Sequence, residues 1–394
     1  MTAPLEGILV LDLSRVLAGP FCTMLLGDLG ARVIKVEQPG EGDVTRGWAP
    51  PHEPMSGLSA YYLSINRNKE SLALDLSTQE GAESVRILAR RADVLLENFP
   101  PGGIEKFGLS LARLRRENPL LVTASITGFG RTGPDSGAPG FDLLAQAGAG
   151  IMAVTGDPDG GPVKVGVAVS DLFAGCFTAI GIVAALRGRE QTGRGTHIET
   201  DLFTSTLATL INVAQAALVT GREAARLGNA HAQIVPYRIF TASDGDFVIA
   251  AGTDRQFARL AGMLGHPEWA EDSLYRTNPA RLRNRAALEA AIGEILRRGP
   301  RDVWLARLRD AGVPAGPVRG PLEALWSETA RALGAVVTSR GVSFVASPIR
   351  VDGCAAPVSF PPALDADGEK LRREFGLPSG PARPRETGDG KRKT

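Results

Sequence analysis

A chain of 394 residues is long enough for two or three domains and a substantial apolar core, which excludes a small stapled scaffold. Hydrophobic residues make up 43% and charged residues 22%, the balance of an ordinary globular chain rather than a disordered or fibrous one. With 44 Lys+Arg against 43 Asp+Glu there is no global field to draw it onto nucleic acid or an acidic membrane, so small-molecule chemistry is the expectation.

In the first half, short β-branched runs alternate with amphipathic segments. Ile8–Leu13, Arg32–Glu37, Ser71–Leu76, Asp93–Glu97 and Leu120–Ile126 read as strands, and Thr78–Arg90 reads as a helix between two of them. The alternation implies a parallel sheet wrapped by helices, and the apolar continuity of the strands implies that both faces are covered. A further strand is expected at Thr196–Leu202, after the turn Gln191–Gly195, followed by a long apolar helix to about Val219. Composition then shifts. Tyr237–Thr241 and Asp246–Ala251 flank Asp244-Gly245 as a hairpin, and helical patterns follow at Asp254–Leu264, Arg281–Arg297 and Arg301–Ala311. Short strand-like runs at Ala335–Ser339 and Val342–Ala346 have no partner assignable from sequence, and the stretch from Ser379 on, rich in Pro, Gly and charge, reads as a disordered tail.

Cys22, Cys176 and Cys354 lie far apart, and His52, His197, His231 and His266 show no H-E-x-x-H spacing, so neither a disulfide framework nor a metal site is expected. The N-terminus lacks the basic region and apolar run of a signal peptide, which makes a reducing cytoplasm the expected setting.

One residue does not fit its surroundings. Between Lys164 and Arg187 lie 22 residues in which Asp171 alone is ionisable. A membrane span is disfavoured by Gly166, Gly175, Gly181 and the acid itself; a buried helix from about Leu172 is the better account. Asp171 would then stand at the helix N-cap, which explains it structurally. A carboxylate in an apolar setting is also a candidate nucleophile or base, and residue type alone does not separate the two readings.

The segment Ile8–Glu37 has the shape of half a dinucleotide fold, but the first turn, Ser14–Pro20, lacks G-x-G-x-x-G, which disfavours an ordinary NAD site. Asn66-Arg-Asn-Lys69, Glu97-Asn-Phe99 and Lys106-Phe-Gly108 punctuate the strand ends. They read either as solvated loops or as cations and an aromatic ring for an elongated phosphorylated ligand. Asp142 reads as a helix N-cap, and Gly228-Asn229-Ala-His231 as a turn that could close over a site.

Taken in order, Leu17-Ala-Gly-Pro20, Leu29–Glu37, Gly40-Glu-Gly-Asp43 with Arg46-Gly47, Asn66–Lys69, Glu97-Asn-Phe99, Thr127-Gly-Phe-Gly130, Asp171 with Gly175, and Thr192–Gly195 resemble the class III coenzyme A-transferases, the family of formyl-CoA transferase and carnitine CoA-transferase. The resemblance runs from about Leu5 to about Val318. It implies an α/β fold with a Rossmann-like large domain, a smaller α+β domain, long linkers and an interlocked homodimer. The expected division is residues 1–200 for the CoA-binding domain, 201–227 for a linker helix, 228–320 for the small domain, 321–378 for a returning linker and 379–394 for the tail.

By the same resemblance the activity is transfer of CoA from a donor thioester to a free carboxylic acid, with no permanently bound cofactor, no nucleic acid and no membrane. Asp171 would be the nucleophile, passing through anhydride and aspartyl-CoA thioester intermediates. Val16 and Leu17 would lie beside the thioester, Lys69, Asn98, Phe99 and Lys106 would contact or flank CoA, and Phe141, Gly228, Asn229 and His231 would border the reacting centre. Formyl-CoA transferase carries Gln where this chain has Leu17, and a glycine run where it has Gly228–His231. Those departures weigh against oxalate and toward a donor such as succinyl-CoA with a larger acid. Two alternatives remain. The α-methylacyl-CoA racemases carry a His where this chain has Phe141, which cannot move a proton. A non-catalytic acyl-CoA binding protein would have no need of Asp171.

Overall fold

Six strands of the first half form one parallel sheet in a computed structural model of the chain, which describes residues 3–48 and 50–378. They are β1 (Leu9–Asp12), β2 (Arg32–Glu37), β3 (Lys69–Ala73), β4 (Val94–Glu97), β5 (Val122–Thr127) and β6 (His197–Asp201), in the order β3-β2-β1-β4-β5-β6. In this doubly wound order the chain reverses its progression between β1 and β4, so a crevice opens beyond their carboxyl ends. Leu11 of β1 pairs with Ile34 on one side and Leu95 on the other, which puts all three side chains in one buried layer.

Around the sheet run α1 (Ala18–Asp28), α2 (Ala60–Ile65), α3 (Gln79–Ala89), α4 (Leu111–Glu117), α5 (Asp142–Gly148), α6 (Ile151–Val154), α7 (Val169–Thr192) and α8 (Leu202–Thr209). On one face, Ala82, Val85 and Leu88 of α3 and Leu111 and Leu114 of α4 pack on Leu11, Ile34, Leu72 and Leu95. Leu371 and Phe375, from a C-terminal helix Gly368–Phe375 absent from the sequence expectations, complete that layer. On the other face, Ala18, Cys22 and Leu26 of α1 and Ala174, Ile182 and Ala185 of α7 pack on Val10, Val33, Leu96 and Ala124. Each fully buried aliphatic side chain contributes roughly 1.5–3 kcal/mol of transfer free energy.

Helix α7 is long and apolar enough to cross a membrane, yet it serves here as the core helix against α1 and the sheet. The approach to α1 is close because of Gly175: a Cβ there would stand 2.7 Å from the Ala18 carbonyl oxygen and 3.1 Å from the Phe21 ring. The opposite face of α7 leaves Phe173, Phe177, Ile180 and Val183 exposed, Ile180 to 64%.

Two expected helices are broken in the structure. The long apolar helix after β6 divides into α8 and Ile211–Thr220, because Ile211 takes a positive φ of 39° that interrupts the helical ladder. The expected Arg281–Arg297 divides at Asn284, whose amide donates to the carbonyls of Leu274 and Ala280.

The chain falls into two compact units, one drawn from 1–151, 165–215 and 332–394, the other from 152–164 and 216–331. Of the expected linkers, 201–227 and 321–378, residues 201–215 and 332–378 fall in the first unit and 216–227 and 321–331 in the second. The second unit carries an antiparallel sheet of β7 (Tyr237–Thr241), β8 (Asp246–Ala250) and β9 (Ala315–Pro317) over a core that includes Phe247, Phe257, Leu288 and Ile292. The strands at Val336–Ser339 and Val342–Val345 find their partners in each other, as an antiparallel hairpin. The expected tail, 379–394, lies outside the described residues.

Candidate active site

Asp171 occupies the third position of α7, not its cap, because the helix begins at Val169. The capping duty falls to Asp142, whose Oδ1 accepts the Ser170 N–H at 2.9 Å. Asp142 in turn opens α5 and accepts from the Gln146 amide at 2.7 Å, while Gln146 takes the Val165 N–H at 2.8 Å. Asp142 therefore caps a neighbouring helix rather than its own. With the Ser170 amide held from outside, that cap does not depend on the Asp171 carboxylate.

Ala18, the first residue of α1, borders the same cavity as Asp171, and its backbone amide acts on the Asp171 carboxylate. That favours the charged form, as does any helix N-terminus. Burial and the nearby charge of Asp142 act more strongly in the other direction and push the Asp171 carboxyl up to about 7. It borders two cavities of the first unit. One, of about 760 Å³, is lined by Val16, Leu17, Gly42, Trp48, Phe141 and Asp142 among others. The second, of about 440 Å³, is bounded by Asn98, Phe99, Thr127, Gly128, Phe141 and Leu202 among others. Arg15 lies on the wall of both.

Beneath the first turn lies a buried charge network. Lys69 is fully buried, with its Nζ bonded to Asp12 (3.1 Å), the Pro20 carbonyl (2.8 Å) and Asn66 (3.0 Å). Burial alone would raise the Asp12 carboxyl, but Lys69 and Lys35 together with bonds from Ser14 and Thr23 bring it down to about 2. The same burial lowers the Lys69 ammonium to about 8. Breaking such a pair from one side leaves an uncompensated interior charge, so its value here is to hold the turn in place.

The expected site residues separate into groups. Val16, Leu17, Phe99 and Phe141 line the cavities around Asp171, as does Asn98. Asn98 is also structural, since its side chain accepts the Arg15 N–H at 2.8 Å and donates to the Arg15 carbonyl at 2.7 Å, clamping the first turn to the end of β4. Arg15 lies over the Phe99 ring at 5.1 Å. Lys69 does not line the cavities; as an interior ion-pair member with three partners it has no face to offer a CoA phosphate. Lys106 is exposed on a short 3-10 turn, Glu105–Phe107, and borders neither cavity.

Gly228, Asn229 and His231 lie in the second unit, where the turn is tied within that unit: Gly228 N–H to the Gly156 carbonyl, Ile239 N–H to the Asn229 side chain, and His231 N–H to the Tyr237 carbonyl. Sequence reasoning missed Tyr61, whose phenol is pushed up to about 12 by burial and by the charges of Asp171 and Asp142, and Trp48, whose ring meets it edge-on at 4.9 Å. Neither residue belongs to a spacing pattern that would have singled it out.

The profile of CoA-transferase family III matches residues 5–368. The chain belongs to CoA-transferase family III. Among characterised relatives it is 41% identical over 379 residues to the acetyl-CoA:oxalate CoA-transferase of Acetobacter aceti, covering 95% of this chain and 96% of that one. It is 45% identical over 320 residues to the succinate–glutarate CoA-transferase of Agrobacterium fabrum, covering 80% of each. The crystal structure of a CaiB/BaiF family protein from Brucella suis superposes with a TM-score of 0.87 at 43% identity, over 95% of this chain and all of that one. A family III enzyme of this similarity is an acyl-CoA:carboxylate CoA-transferase.

Proposed function

We propose that this CoA-transferase works through covalent catalysis on Asp171, with succinyl-CoA or a similar thioester as donor and a dicarboxylic acid as acceptor. The Asp171 carboxylate attacks the donor carbonyl, giving a mixed anhydride and CoA thiolate. The thiolate attacks the aspartyl carbonyl, forming the Asp171–CoA thioester and releasing the donor's acid as its carboxylate. The acceptor carboxylate attacks that thioester, giving a second anhydride and thiolate; the thiolate then takes the acceptor's acyl group and Asp171 is regenerated. Each step exchanges one acyl bond for another, so no large uphill step arises.

The observation that carries this reading is that Asp171, whose neighbour Ser170 is capped by Asp142 instead, is largely buried and faces two cavities. The apolar wall of Phe99, Phe141 and Leu202 suits exclusion of the water that would hydrolyse an anhydride. Arg15, the cation on both walls, suits the second carboxylate of an acid such as those named for the relatives. Because one relative acts on oxalate, that acid belongs among the acceptors tested despite Leu17. The free cysteines suit a reducing cytoplasm. A second copy of the chain, interlocked with the first, suits the exposed apolar strip of α7.

The test incubates the enzyme with succinyl-CoA and no acceptor, then treats it with borohydride and maps peptides by mass. Reduction of the residue at position 171 to its alcohol is the expected result; an unmodified Asp171 after this incubation, in enzyme active with acceptor present, would rule the covalent route out.

A further inference from the structure

The loop between β1 and α1 holds a residue that does not belong there by its own preferences. Val16 is β-branched and sits at φ +69°, the left-handed region that such side chains rarely enter. Strain of this kind persists only where the surroundings over-determine it. Here the backbone groups around it are held from several sides. The Ser14 carbonyl accepts from Lys35 Nζ at 2.9 Å, both backbone groups of Arg15 are held by Asn98, and the Val16 N–H points at the two carboxylate oxygens of Asp43, at 3.2 and 3.4 Å.

Asp43 is itself immobile. Its side chain and that of Lys35 are wholly buried and paired at 2.9 Å, and Thr45 donates both its N–H (3.0 Å) and its hydroxyl (2.8 Å) to the same carboxylate. The Asp43 N–H is in turn held by Glu37 at 3.0 Å. Two residues after Val16, α1 begins, and its first residue, Ala18, stands on the wall of the same cavity as Asp171, whose charged form its amide favours. Leu17 at the cap position contributes no side-chain bond, so the direction of that amide is set by the loop before it.

We propose that Asp43 is a positioning residue for CoA transfer: from its buried seat between Lys35 and Thr45 it holds Val16 in the left-handed conformation, and so aims the N-terminus of α1 at Asp171. The proposal rests on Asp171 being the acylated carboxylate. As Asp171 is acylated, charge builds on the oxygen of the tetrahedral centre, and an amide fixed beforehand stabilises it without reorganising. Asp43 touches neither substrate nor Asp171 in this role. Its removal should slow the chemical step and leave the binding of the thioester nearly as it was.

The test is a double-mutant cycle between Asp43→Asn and Val16→Gly. Glycine adopts φ +69° without strain, so a loop carrying it needs no carboxylate to hold it. Steady-state constants are measured for the fastest pair among succinyl-CoA and acetyl-CoA with oxalate, glutarate and mesaconate. Asp43→Asn is expected to lower kcat by about tenfold or more with the donor KM within about threefold. In the Val16→Gly background the same change is expected to cost less than about threefold. An equal penalty in both backgrounds, a penalty confined to KM, or full activity of Asp43→Asn would each overturn the proposal.

Should Asp43→Asn not fold, Thr45→Val removes one of the bonds that orient Asp43, and the same cycle is read on it: a smaller fall in kcat that vanishes with Val16→Gly supports the proposal, and one that persists defeats it. Asp171→Ala is assayed beside these variants. Turnover retained there would defeat the covalent route on Asp171, whereas a cycle that fails while Asp171→Ala is inactive defeats the Asp43 assignment alone.

Discussion

Asp171 titrates where folding and reaction pull in opposite directions. Its carboxyl stands at about 7 instead of the ordinary 3.8, because burial and Asp142 disfavour the charge more than the Ala18 amide favours it. In the proposed route the nucleophile is the carboxylate, so kcat/KM for the donor should rise with pH and level off through an apparent pKa near 7, measured from about pH 5 to about pH 9. Stability runs the other way. Between 3.8 and about 7 the folded protein binds a proton that the unfolded chain has released, so stability falls as pH rises through that window and stays lower above it. Asp171→Asn should therefore melt higher than wild type above neutrality, by roughly 2 °C for a change of order 1 kcal/mol, with the gap closing toward about pH 4. The same variant should lose at least about 1,000-fold in kcat, as removal of a covalent nucleophile does, and still bind CoA in calorimetry. A melting gap that persists at low pH would place its cause outside this titration.

At the scale of elements, the proposed site lies where two helix N-termini meet, and Gly175 sets how closely they meet. Gly175→Ala would set a methyl against the Ala18 carbonyl, so α1 and α7 must part and the first turn of α1 must shift relative to Asp171. The expected outcome is a loss of about 1–3 kcal/mol in denaturant unfolding and a fall in kcat that exceeds any change in donor KM. Unchanged kinetics would mean that the helix contact does not position the amide. The strands β1, β2 and β4 and helix α3 could be read from sequence because their apolar runs and the Thr78 cap are local signals. Asp171 stood out for a similar reason, as a charge in an apolar run. What escaped was non-local. The cap on α7 comes from Asp142, 28 positions before Ser170, and Lys69 looked like a phosphate ligand because its partner Asp12 lies 57 positions away. Residue type names a capability, and only the fold decides whether another group has already used it.

Over the whole molecule, the face of α7 turned from the sheet exposes an apolar strip of Phe173, Phe177, Ile180 and Val183. A homodimer is expected in sedimentation, and Ile180→Glu should weaken it without altering the fold of the sheet, as circular dichroism would report; a monomeric wild-type chain at micromolar concentration would refute this. The division into units carries a different consequence. The chain passes from one unit to the other after residues 151, 164, 215 and 331, so 152–164 is a short stitch that returns at once. That stitch is structural to the second unit, since Arg226 bonds the carbonyls of Ala153, Asp157 and Gly160, and Gly228 bonds that of Gly156. The second unit is therefore not a cassette that a single recombination event can exchange. Chimeras with a relative that take 216–331 alone would join mismatched halves of one fold, whereas those that move 152–164 with it would keep the unit whole.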